Sequence, residues 1–258
     1  MLKKVIIGLA VVAVLGGAVL FVLDRTLFAP TTVSTAAPVA PTIAAPTQAA
    51  ATTAPTAAPQ PAAPVADPTQ PAAVPAAPAS DAKLYRIDAA QSEARYEVGE
   101  TFFQDNRFAT AIGRTKGVAG DILINTAGPA KSQIGDIVID ISQVQSDEGR
   151  RDNFIRNNGL ESAKYPQAIF KTTAIEGLPA VVNVGDEVSF TMSGDLTVKQ
   201  TTKPVSWQVT LKLTDQGLTG SASTQIKMSD FAVGPIKLAF LETEDDVKLF
   251  FDFVATPQ

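Results

Sequence analysis

Along residues 205–213, Val205, Trp207, Val209, Leu211 and Leu213 take every second place, with Ser206, Gln208, Thr210 and Lys212 between them. Successive side chains of a strand point to opposite faces, so only extended backbone gathers the apolar set on one side. The same period runs through Val188, Phe190, Met192, Leu196 and Val198, where Gly194 marks a bulge or a bend. It recurs in "LTGSASTQIKM", "VKLFFDF", "DIVIDIS" and "VAGDILIN". With "LYRID", "SEARYEV" and "QAIFKTT" these make about nine candidate strands, compatible with antiparallel meander connections. The pattern predicts an all-β domain.

One apolar and one wet face per strand suits a sandwich or a closed barrel. Small residues on the inward faces, namely Ala94, Gly120, Ala168, Gly220 and Ala222, favour a barrel of about eight strands with space inside. The competing reading is that they only make room for Trp207 and the phenylalanines in a filled core.

The chain divides into three by composition. In residues 1–25, "MLKK" precedes the uncharged apolar run 5–23, which is followed by Asp24 and Arg25. Nineteen residues of helix just suffice to cross a bilayer. Lys3 and Lys4 favour a cytoplasmic N-terminus, which places the remainder outside the cell membrane. The alternative is a cleaved signal peptide and a secreted domain. Residues 26–80 are a linker of Ala, Pro and Thr holding twelve of the eighteen prolines. Such a segment is expected to be disordered and extended, a tether reaching on the order of 150 Å at about 3.1 Å per residue. Residues 81–258 form the folded domain, large enough for its own core.

Two absences narrow the chemistry. Without histidine or cysteine, the chain has no Ser-His-Asp triad, no thiolate nucleophile, and no imidazole or thiolate metal ligand. The domain carries 18 basic against 24 acidic side chains and no basic stripe, which argues against nucleic acid. The acidic run "ETEDD" at 242–246 reads as a hairpin turn, and it lacks the spacing of a calcium loop.

The most charged stretch is "SDEGRRDNFIRNNG" at 146–159. Ser146 can cap a short helix that Gly159 ends, with Asp147–Arg151 and Asp152–Arg156 as i,i+4 pairs. Phe154 and Ile155 give it an apolar side to lay on a barrel end. The strand in "KYPQAIF" then begins beyond Pro166.

The block "RRDNFIRNNGLESAKYPQAIFKTT", then "SGDLTVKQTTKPVSWQVTLKL" and "IKMSDFAVG", with "YRIDAAQSEARYEV" ahead of them, resembles the YceI-like family over residues 84–254. The resemblance implies a lipocalin-like antiparallel barrel whose apolar tunnel holds a polyisoprenoid, in an extracytoplasmic bacterial protein, with no established catalytic activity. Family members commonly carry histidines where this chain has Gln91 and "KQTTK". The resemblance therefore implies no imidazole contact to a head group here.

The leading expectation is thus a non-catalytic domain that buries a polyisoprenoid or similar long apolar lipid, without metal or cofactor. Ile139, Phe170, Phe190, Trp207, Leu211, Phe251 and Phe253 are the inward residues expected to hold it. Phe102, Phe103 and Phe108, in a long loop, and Arg150 and Arg151 are candidate mouth or head-group contacts. The rival expectation is a surface-displayed β-domain with a filled core that binds a protein or envelope polymer.

Overall fold

The computed structural model describes residues 29–30, 33–43 and 82–258. The expected span 5–23 lies outside the described residues, and among these no helix is long and apolar enough to cross a membrane.

The strands are β1 (Ala82–Ile87), β2 (Glu93–Phe102), β3 (Arg107–Thr115), β4 (Val118–Ala119), β5 (Asp121–Asn125), β6 (Gln133–Ile134) and β7 (Ile137–Asp140). After the helix α1 (Gly149–Phe154) come β8 (Gln167–Glu176), β9 (Glu187–Val198), β10 (Thr201–Thr214), β11 (Gly217–Lys227) and β12 (Leu241–Pro257). All pair antiparallel in one curled sheet, in the order β4-β7-β8-β9-β10-β11-β12-β1-β5-β6. Only Gly120 separates β4 from β5, and Gly135 and Asp136 separate β6 from β7. The two ends of the sheet are therefore the same hairpin, and pairing returns on itself.

β12 is long enough to serve two neighbours. Its last residues pair with β1, Ile87 opposite Ala255, while residues 241–252 pair with β2. β2 and β3 form a hairpin around the turn at 103–106. This corrects the expectation of a long loop there. At that end the wall is a half-barrel running from β8 round to β3, and the edge of β3 reaches the rest through Arg114 and Gln145, whose backbones exchange hydrogen bonds of 2.8 and 2.9 Å. The gap is covered by α1 and the π-helical turn Ile155–Gly159.

The two ends of the barrel differ in packing. Towards the β10–β11 turn, Val188, Phe190, Leu211, Leu213 and Leu218 fill a core that Val182 closes from the loop before β9. Two of the small inward residues contribute to that filling. A Cβ on Gly120 would lie 2.6 Å from Ile137 Cδ1, and one on Gly220 would lie 2.6 Å from Phe253 Cζ. Gly194 is a seat as well: a Cβ there would overlap the carbonyl of Lys171 and meet the Phe170 ring. The irregularity expected at Gly194 lies on its partner, between Thr172 and Ala174 of β8.

Part of the linker packs on the domain. Pro38 is buried, Gln143 Nε2 donates to Ala36 O at 3.2 Å, and Ile43 N donates to Asp121 Oδ2 at 3.2 Å. Ahead of them, Asn157 Nδ2 donates to Ala29 O at 2.8 Å. Within these residues the chain is a strap along the β6–β7 side, where a free tether was expected.

Candidate ligand cavity

The inward faces at the α1 end enclose a cavity of about 820 Å³. Its wall includes the small inward residues Ala94, Ala168 and Ala222, beside Phe170, Trp207 and Phe251. Farther out the wall passes to Val98 and Ala111 of the β2–β3 hairpin. It then reaches Phe154 and Ile155 from the helix and Phe231 and Val233 from the segment after β11. At the opposite end a cleft of about 30 Å³ lies among Phe190, Leu211 and their neighbours. The cavity lies within the range of about 300–1,000 Å³ common for ligand sites, with a mostly apolar wall.

Of the seven inward residues singled out from the sequence, Ile139, Phe170, Trp207 and Phe251 line this cavity. Phe190 and Leu211 instead border the small cleft, and Phe253 is buried beneath Phe251, their rings stacked at 5.5 Å. Those three are corrected to the filled end. Period two identifies an inward face but not the height along the barrel, and the cavity occupies only one end of it. Of the mouth candidates, Phe102, Arg150 and Arg151 line the cavity, and Arg107 stacks on the Phe102 ring at 4.2 Å. Phe103 and Phe108 lie outside it, 52% and 59% exposed.

Few polar groups face inward. Glu100 of β2 is 4% exposed and accepts two hydrogen bonds of 3.1 Å from Arg151, Nε to Oε1 and Nη2 to Oε2. Arg151 also donates to Asp147 at 2.5 Å. Burial alone lowers the Arg151 pKa, but the hydrogen bonds to Asp147 and Glu100 outweigh it and the net shift is upward. The same bond holds the exposed Asp147 carboxyl below its ordinary value. Arg151, a candidate for gripping an anionic head group, is thus already committed to two carboxylates. Asp152, expected to pair with Arg156, instead accepts from the backbone and hydroxyl of Ser146, at 2.9 and 2.6 Å. Arg156 donates to Val144 O at 2.9 Å. Glu148 takes over the expected capping role of Ser146, accepting from Arg150 N at 3.0 Å.

Tyr96 was missed by the sequence reading. Its ring borders the cavity and lies where a Cβ on Gly113, its partner across the hairpin, would be. Its hydroxyl makes no hydrogen bond among the described residues, and burial pushes its pKa up to about 12. The only hint was alternation: Tyr96, Val98 and Glu100 face Gly113, Ala111 and Ala109. Trp207 Nε1 is likewise buried without a partner among the described residues, the indole meeting Phe170 edge to face at 6.0 Å.

The acidic run at 242–246 is not a turn but the start of β12, at its register shift against β2. Glu242 pairs with Lys237 at 2.6 Å, and Asp245 accepts from Ser229 N and Oγ at 2.8 and 2.7 Å. Among the described residues no three His, Cys, Asp or Glu side chains converge as a metal site.

A family model of the YceI-like domain matches residues 85–255. Protein YceI of Escherichia coli O157:H7 is 28% identical over 158 residues, which are 58% of this chain and 75% of that protein. The same figures hold for Protein YceI of Shigella boydii serotype 4. The crystal structure of Burkholderia cenocepacia BcnA superposes with a TM-score of 0.53 at 24% identity, covering 66% of this chain and 99% of BcnA. A polyisoprenoid binding domain from Saccharophagus degradans, implicated in plant cell wall breakdown, gives 0.50 at 17% identity over 67% of this chain and 98% of its own. Both likenesses are of fold.

Proposed function

The chain belongs to the YceI-like domain family, and from that membership we propose that it is a membrane-tethered, extracytoplasmic lipid carrier that holds a polyisoprenoid or similar long apolar lipid. It performs no covalent chemistry. The observation that carries the reading is the contrast between the two ends of one barrel, about 820 Å³ of apolar cavity against about 30 Å³. A core serving stability alone would be filled throughout, because unfilled apolar volume is destabilising. Each methylene moved from water into such a wall contributes about 0.8 kcal/mol, so a few isoprene units offset the immobilisation of a flexible chain.

The commitment of Arg151 to Glu100 and Asp147 favours a neutral terminal group over a diphosphate. The tether rests on the apolar run 5–23 and the lysines before it. The rival reading, an interaction module with a filled core, finds no support in the cavity. Native mass spectrometry of the purified protein tests the proposal. A retained lipid, or uptake of an added prenyl quinone, is the expected result. Repeatedly lipid-free protein that takes up neither prenyl quinone nor prenyl diphosphate would sink it.

A further inference from the structure

We propose that the cavity mouth is itself the membrane-facing surface, with the lipid bilayer as its docking partner. This rests on the tether reading above and adds an orientation to it.

Two independent observations lead there. First, the strap fixes where Ala29 sits on the domain. Asn157 Nδ2 donates to Ala29 O at 2.8 Å, and Asn157 belongs to the π-helical turn whose first residue, Ile155, lines the cavity. From Ala29 the strap runs away from the mouth, through Ala36 at Gln143 to Ile43 at Asp121. Ala29, the first described residue, is therefore held at the mouth end. Only residues 24–28 separate it from the apolar run 5–23, a reach of about 20 Å when fully extended. The linker's length is no leash if the domain is held ahead of most of it.

Second, exposed rings stand beside the cavity, Phe240 in its wall and Phe103 and Phe108 outside it. Phe103 at the hairpin turn, Phe108 on the outer face of the hairpin over Gly99, and Phe240 are 52%, 59% and 41% exposed, and Phe103 N donates to Phe240 O at 2.9 Å. Exposed apolar rings on one face mark an interaction surface. Rings at this height suit the headgroup and acyl boundary, where buried apolar area gives the affinity. The charges beside them are paired within the protein, Arg107 with Asp105 at 3.5 Å and Lys237 with Glu242 at 2.6 Å. The contact is thus apolar rather than a basic patch on anionic lipid. A lipid would pass between bilayer and cavity without crossing water.

The chain has no cysteine, so single cysteines can be placed and labelled cleanly. Gln104→Cys sits in the hairpin turn, and Gln216→Cys sits in the turn between β10 and β11. The latter is at the end that displays Val181 and Val184, two of the other exposed apolar residues. Each full-length variant is reconstituted into phosphatidylcholine vesicles carrying a quencher in the acyl region, and floated to confirm attachment. The expected result is quenching several-fold stronger at 104 than at 216, with Phe103→Ser and Phe240→Ser together reducing it at 104. Protein that floats with the vesicles but is quenched equally at both positions, or more at 216, overturns the orientation and leaves the tether intact. Protein that does not float overturns both. Neither outcome bears on lipid retention, which mass spectrometry reads separately.

Discussion

Arg151 and Glu100 are joined by two parallel hydrogen bonds of 3.1 Å that tie the helix over the cavity to strand β2. The pair closes the half-barrel where no backbone ladder crosses from helix to sheet. Its carboxylate is almost wholly buried, so its strength lies less in the attraction than in the penalty for removing one partner.

Arg151→Ala should therefore destabilise the protein by about 3 kcal/mol, the lower end of what an orphaned buried charge costs. Replacing both residues, Glu100→Leu with Arg151→Met, should recover most of the loss. Urea unfolding of the single and double variants checks this, and equal stability for the two would refute it.

Ala168 and Ala222 border the cavity, whereas Ala255 is fully buried in packed core. Ala168→Phe or Ala222→Phe should abolish lipid retention in native mass spectra while leaving the protein folded, because the added ring can enter the cavity. Ala255→Phe has no space to fill and should cost about 1–3 kcal/mol from overpacking. Retention of full-length lipid by both cavity variants would place the ligand elsewhere.

Two glycines make a matched contrast. A Cβ at Gly194 would overlap the Lys171 carbonyl, so Gly194→Ala must displace backbone and should lower the thermal midpoint by several degrees, about 1–3 kcal/mol. A Cβ at Gly149, the first residue of α1, meets nothing within 4 Å. Gly149→Ala should be neutral or stabilise by about 0.5 kcal/mol through helix propensity.

Burial pushes the Tyr96 phenol up to about 12, against 10.0 for an ordinary tyrosine. The folded state thus keeps a proton that the unfolded chain releases. Stability held below pH 10 is lost progressively as pH rises from about 10 towards 12, because only the unfolded form gains from ionisation. Tyr96→Phe should flatten that decline in unfolding free energy. An ultraviolet titration of the native protein should show fewer than three phenolates near pH 11, because burial raises Tyr85 as well, and Tyr96→Phe should leave the number ionised there unchanged. A full complement there would show the hydroxyl to be open to solvent.

Much of this molecule follows from local pattern. The alternation at 205–213 and 188–198 places Val205, Trp207, Val209, Phe190 and Met192 inside, and all are buried. Period two is a property of extended backbone and needs no knowledge of neighbours. The β2–β3 hairpin was harder to read, because its inward residues, Ala109, Ala111 and Gly113, are too small to stand out as an apolar stripe. They are small because Tyr96 and the cavity lie opposite, and that is a fact about partners.

The sequence by itself determined an all-β domain with apolar inward faces, preceded by an apolar run and a proline-rich segment, and chemistry without histidine or cysteine. Tertiary structure alone decided which inward residues meet a filled core and which meet a cavity. Gly120 and Gly220 receive Ile137 and Phe253, whereas Ala94, Ala168 and Ala222 line the cavity. A small side chain states only how much room it leaves. What enters that room depends on strand register and on residues brought from more than a hundred positions away, as β2 is to β12.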